Sequence, residues 1–185
     1  GSGEGRRARR NGELPRSQPM TRWKNNKKIV LGVTGGISAY KAPEILRALV
    51  KAGCDVEVVL TAGGERFVSP MVLSTLAGKR VWRQEDFLSD ETGWKIPHIT
   101  LADWADGVVI APCTAETLSN LARGAGKELL CSLVLASRSP VVVFPAMNVN
   151  MLNNPATKDN CEILEKRGII VVDPETGSLA CGYEG

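Results

Sequence analysis

The sequence has a single histidine, its aromatic residues amount to only 5%, and none of its five cysteines forms a Cys-x-x-Cys pair. Scattered at 54, 113, 131, 161 and 181, and odd in number, the cysteines lack zinc-site spacing and argue against a disulfide framework, so no metal centre is expected. No run approaches the ~20 consecutive apolar residues of a membrane span. The opening residues lack the apolar core of a secretory signal. Free thiols without an export signal point to the cytoplasm.

What is present suffices for one core: 185 residues, 43% of them apolar. The formal charge of +3 conceals an asymmetry, because residues 1 to 28 carry nine Lys and Arg against two acids while the rest carries fourteen against eighteen. The stretch 1–27 is rich in Gly, Pro and Arg and has no apolar periodicity, so it is expected to be an appended or disordered arm outside the fold. Its Gly-Ser-Gly opening favours a solvated leader over a nucleic-acid-binding tail. Residues 28–185 form the expected domain.

Five short runs rich in Val and Ile predict buried strands at Lys28–Thr34, Val56–Thr61, Gly107–Ala111, Val141–Phe144 and Gly168–Val172. Between them, helical patterns are predicted over Ala39–Ala52, His98–Trp104, Leu118–Ala122, Leu129–Ala136 and Ala156–Arg167. Strands alternating with helices predict an α/β fold, a doubly wound parallel sheet of Rossmann-like or flavodoxin-like type with helices on both faces.

Ligands of such sheets sit beyond the carboxyl ends of the strands. Four of these ends carry unusual residues: Thr34-Gly35-Gly36, Thr61-Ala62-Gly63-Gly64, Pro112-Cys113-Thr114 and Pro145-Ala146-Met147-Asn148. Gly35, Gly36, Ile37 and Ser38 join the first strand to the first helix, where backbone amides favour an anion. The segment has neither the G-x-G-x-x-G dinucleotide spacing nor a P-loop ending, so a mononucleotide such as FMN fits it better.

The segments VTGGISAYKAPE (33–44), the stretch around His98, APCTAET (111–117), PAMNVNM (145–151) and ACGYEG (180–185) resemble the homo-oligomeric flavin-containing cysteine decarboxylases, among them phosphopantothenoylcysteine decarboxylases and the peptidyl-cysteine decarboxylases of peptide maturation. That resemblance covers about residues 28 to 185. It implies FMN as cofactor, with Gly35, Gly36, Ile37, Ser38, Thr61, Thr114, Ala115, Glu116, Thr117 and Ala146 around it. Glu116 stands where the family usually has Asn.

His98 matches the family's catalytic base, and Asn148 matches the residue that holds the departing carboxylate, with Met147 and Ala180 beside the substrate. Cys181 matches the thiol that phosphopantothenoylcysteine decarboxylases use in a final reduction. The implied activity is decarboxylation of 4'-phosphopantothenoylcysteine to 4'-phosphopantetheine in coenzyme A biosynthesis, through a thioaldehyde and an enethiol. A peptidyl-cysteine decarboxylase would stop at the enethiol, and a non-catalytic regulatory subunit would need none of these groups. The family assembles as trimers, often as dodecamers of trimers, with His98 and the flavin on different chains. Its members continue past the match to Gly185, so a domain cut short at its C-terminal end is expected.

Overall fold

The computed structural model describes residues 26–174. Six strands form one wholly parallel sheet: β1 (Lys28–Val33), β2 (Asp55–Leu60), β3 (Trp82–Arg83), β4 (Gly107–Cys113), β5 (Val141–Pro145) and β6 (Ile170–Val171). Their order is β3-β2-β1-β4-β5-β6. The chain thus winds outward from β1 in one direction and then, from β4, in the other. This Rossmann-type order leaves a crevice where the direction reverses, beyond the carboxyl ends of β1 and β4.

Burial on both faces explains why the strands read as continuous apolar runs. Val30, Val108, Ile110 and Val143 belong to a core cluster shared with Leu118, Leu129, Leu130 and Leu133. Leu31, Val33, Val58 and Leu60 belong to a second cluster, with Ala42, Leu46 and Leu73. Each fully buried aliphatic side chain contributes about 1.5–3 kcal/mol before conformational entropy is counted.

The helices are α1 (Ala42–Lys51), α2 (Pro70–Ala77), α3 (Pro97–Trp104), α4 (Ala115–Ala122), α5 (Leu129–Ala136), α6 (Val149–Asn153) and α7 (Pro155–Lys166). The α-helix expected from Ala39 begins at Ala42, preceded by a 3-10 turn over Ile37–Lys41. Pro43 explains the shift: it lacks an N–H to bond back by four residues and fits only a first helical turn.

Two elements had no periodic signal. The edge strand β3 is two residues long, too short for any alternation, and α2 combines eight mostly apolar residues without a clear polar face. The last strand, expected over Gly168–Val172, is confined to Ile170–Val171 because Gly168 (φ 86°) follows α7 as its left-handed stop.

Candidate functional site

Three strand ends are tied together, two of them by one threonine. The Thr34 hydroxyl donates to the Pro112 carbonyl at 2.7 Å and accepts from the Thr114 N–H at 3.1 Å, fixing the end of β1 to the end of β4. The Ala146 N–H donates to the Cys113 carbonyl and extends the link to the end of β5. A register shift between Ile110 and Cys113 loosens the β4–β5 ladder here, as bulges do next to sites.

Two adjoining clefts open above this seam. The larger, about 690 Å³, is lined by Gly35, Thr61, Gly63 and Thr114 through Thr117 and runs on past Asn120, Arg123, Lys127 and Glu128. The smaller, about 290 Å³, is lined by Gly35 through Ser38, Ala146, Met147 and Asn148. Gly35, Thr114, Ala115 and Met151 line both. Every described residue expected at the cofactor, together with Met147 and Asn148, therefore lies at one place.

The turn after β1 has to be glycine. A Cβ on Gly35 would sit 2.9 Å from the Gly63 backbone, and Gly36 adopts φ 131°. Among the described residues, the N–H groups of Gly35, Gly36, Ile37 and Ser38 find no protein acceptor. Four adjacent unpartnered donors make an anion cradle. Their orientation comes from a 3-10 turn and not from the α-helix start that the sequence suggested. Backbone donors at a glycine-lined cleft of this size fit a flavin mononucleotide.

The threonine hydroxyls serve the scaffold. Thr61 Oγ1 accepts from the Gly64 N–H and donates to the Val33 carbonyl, and Thr114 Oγ1 accepts from the Thr117 N–H as the N-cap of α4. Thr117 is itself buried. Glu116 is exposed in the first turn of α4, where the helix dipole favours a carboxylate.

Asn148 caps α6: its Oδ1 accepts from the Asn150 N–H at 2.9 Å. Among the described residues its amide nitrogen has no acceptor and is left to donate, which suits recognition of a carboxylate. Cys131 also lines the larger cleft; burial pushes its thiol up to about 12, so it is a protonated wall and not a nucleophile.

His98 is not in either cleft. It lies at the start of α3, half-buried, with the Phe87 ring edge-on at 5.2 Å and 81°. Its Nδ1 is buried without a hydrogen-bond partner among the described residues. The residue before Pro97 is strained: Ile96 has φ 51°, a left-handed conformation that costs a β-branched residue on the order of 1–3 kcal/mol. Ala180 and Cys181 lie outside the described residues, as does the basic arm up to residue 25.

Sequence reading did not find Gln84, Asn120, Arg123, Lys127 or Glu128, which extend the larger cleft. Most belong to α4 and the loop leading to α5, which carry no motif. Only the unusual Arg-Gly-Ala-Gly-Lys-Glu run marks this loop in the sequence.

A sequence model of the family described as Flavoprotein matches residues 17–185. The chain is 42% identical over 159 residues to the coenzyme A biosynthesis bifunctional protein CoaBC of Vibrio parahaemolyticus, covering 86% of this chain and 39% of that protein. It thus spans about two fifths of the curated relatives it matches. Among solved structures, the FMN-dependent cysteine decarboxylase SpaF superposes with a TM-score of 0.73 at 30% identity, covering 86% of this chain and 89% of that one. A cysteine-to-serine mutant of PPC decarboxylase, complexed with pantothenoylaminoethenethiol, superposes with a TM-score of 0.75 at 29% identity, covering 87% and 89%. With a family match over most of its length and a cleft built for a mononucleotide, the chain belongs to the Flavoprotein family.

Proposed function

We propose that the chain is an FMN-dependent decarboxylase of 4'-phosphopantothenoylcysteine, acting in coenzyme A biosynthesis in the cytoplasm. The observation that carries the reading is the pairing, in adjoining clefts, of four unpartnered amides at Gly35–Ser38 with the free amide nitrogen of Asn148. The first suits a phosphate and the second a carboxylate. The kinship to CoaBC proteins and to a PPC decarboxylase bound to an aminoethenethiol supports the same substrate.

A cysteine carboxylate does not lose CO2 readily, because the α-carbon has no acceptor for the electron pair left behind. A flavin held in this cleft would supply the oxidation, taking hydride from the cysteine CH2–SH, and the C=S of the resulting thioaldehyde would be the acceptor. Gly35, Gly36, Ile37 and Ser38 hold the cofactor phosphate. Asn148 donates to the carboxylate and orients it for departure, with Met147 beside it. His98 takes the thiol proton during oxidation. Cys181 would give the proton, and the reduced flavin would return the hydride, when the enethiol is reduced to 4'-phosphopantetheine.

Since His98 lies outside the clefts, we assign it to the site of a second copy of the chain in a homo-oligomer, a trimer or a dodecamer of trimers. Exposed Leu88, Trp94, Ile96 and Ile99 on its own segment provide an apolar contact surface for that copy.

The test is mass spectrometry of the product formed from phosphopantothenoylcysteine by the FMN-loaded protein. Loss of CO2 with full reduction to 4'-phosphopantetheine is expected. Unchanged substrate rejects the assignment, and release of enethiol, two hydrogens lighter, assigns a peptidyl-type decarboxylase instead.

A further inference from the structure

The larger cleft continues beyond the strand ends to a part with different chemistry. There Arg123 and Lys127 line it, on the loop between α4 and α5. Like most basic residues described, neither forms an ion pair among the described residues; what sets these two apart is that they line the cleft. Two unpaired cations facing one cavity call for an anion.

Both residues are exposed; the Arg123 side chain is held in place, and Lys127 is held through its backbone. The Arg123 Nη2 donates to the Asn120 Oδ1 at 2.6 Å, and the Asn120 side-chain amide donates to the Glu128 carboxylate at 2.9 Å. Asn120 is only 6% exposed, so it is a rigid brace. The Arg123 guanidinium uses one nitrogen on Asn120 and keeps its other donors, in their rigid planar fork, for a ligand. The loop itself is pinned from across the cleft by Gln84, whose amide donates to the Lys127 carbonyl at 3.2 Å and accepts from the Leu129 N–H at 2.9 Å. Glu116 is the other carboxylate lining this cavity, and it lies in the first turn of α4.

We infer that Arg123 and Lys127 form a second anion subsite, for a phosphate monoester dianion. The inference rests on the proposed function. That reaction brings two phosphate monoesters together, one on FMN and one on the acyl-cysteine substrate, and the connected clefts carry two anion-binding features. The amides of Gly35–Ser38 are one, and the Arg123–Lys127 pair is the other. A guanidinium fork and an ammonium together match the charge of a dianion, which a monovalent carboxylate would not. With FMN on the amides, the pair takes the phosphate of the substrate.

The experiment compares native protein with Arg123→Ala, Arg123→Lys and Lys127→Ala. Flavin fluorescence quenching gives the affinities for FMN and riboflavin, and calorimetry on the FMN-loaded protein gives those for 4'-phosphopantothenate and pantothenate, which lack the reacting cysteine. The expected result is a tenfold or greater loss of 4'-phosphopantothenate affinity in Arg123→Ala, partial recovery in Arg123→Lys, and unchanged pantothenate affinity. A fall in the preference for FMN over riboflavin instead would keep the subsite but assign it to the cofactor phosphate. Native preferences for both phosphorylated ligands in all three variants would overturn the subsite. Native protein that shows the preference but never decarboxylates would count against the proposed reaction alone.

Discussion

The clefts and the segment from Arg80 to Trp104 treat polar groups in opposite ways. In the clefts, donors stand open among the described residues: four adjacent amides, the Asn148 amide nitrogen, the Lys127 ammonium and the Arg123 nitrogens other than Nη2. In the segment, the buried polar side chains are engaged. Asp86 is 5% exposed and accepts from the Arg80 guanidinium, the Arg83 N–H and the Thr92 hydroxyl. The Ser89 and Thr92 hydroxyls meet at 2.6 Å, and Thr100 Oγ1 donates to the Lys95 carbonyl. Among the described residues, the one buried side-chain nitrogen or oxygen left without a partner is His98 Nδ1. Groups left unpaired in an otherwise satisfied fold mark where a ligand or another chain completes the structure.

Removing the exception gives the largest expected effect. His98→Asn should lower the rate of CO2 release by about 10²–10⁴-fold while the protein keeps its flavin, since a positioned general base contributes that much. Single-turnover CO2 measurement with parallel flavin absorbance separates the two. A native rate would make His98 structural.

Breaking the hub of the engaged segment should act on stability. Asp86→Ala leaves the Arg83 N–H without its acceptor, whereas the Thr92 hydroxyl keeps the Asp86 backbone carbonyl at 2.8 Å, for a loss of roughly 2 kcal/mol in urea unfolding. The Arg80 ion pair adds little, because its guanidinium is 53% exposed. A change below about 1 kcal/mol would mean that the segment is not held through Asp86.

The cleft wall adds a pH dependence. Burial raises the Cys131 thiol from 9.0 to about 12 and raises Cys113 further. A thiol raised by folding favours the folded state fully below pH 9, and that contribution is lost as pH rises towards 12. Between these limits each such thiol should steepen the fall of unfolding free energy by up to about 1.4 kcal/mol per pH unit. Cys131→Ala should flatten the slope measured by denaturant titration from pH 8.5 to 10.5. An unchanged slope would contradict the burial of this thiol.

The smallest effect is expected at Ile96, half exposed at φ 51°. Ile96→Gly should raise stability by about 1 kcal/mol, the relief of strain exceeding the added chain entropy. Destabilisation would show that the isoleucine side chain matters more than its backbone.

Much of this contrast was legible beforehand, because it follows from local chemistry. Apolar runs at β1, β2, β4 and β5 reveal strands buried on both faces, and glycine, threonine and Asn148 directly after them reveal the ligand edge. The cleft residues expected from Gly35 to Asn148 all gather there. What stayed hidden depends on distant partners. Gln84 reaches the cleft only because the edge strand β3 delivers it opposite α5, 45 residues on in sequence. Arg123 gains its role from the brace by Asn120, which no pattern announces. The separation of His98 from the clefts is likewise a matter of packing that its position along the chain did not show, and the one prior hint was the resemblance, which implied a histidine and a flavin on different chains.

The central claim is that the amides of Gly35–Ser38 hold the phosphate of a flavin, and Ser38→Asp tests it most directly. Ser38 sits in the 3-10 turn at an ordinary position, partly exposed and outside the core, so the variant should fold. Its carboxylate would compete for the same unpartnered donors. Titration with FMN, followed by quenching of flavin fluorescence, should show tight binding by native protein and at least a tenfold loss in Ser38→Asp, with circular dichroism unchanged. Equal FMN affinity in both proteins would contradict the account.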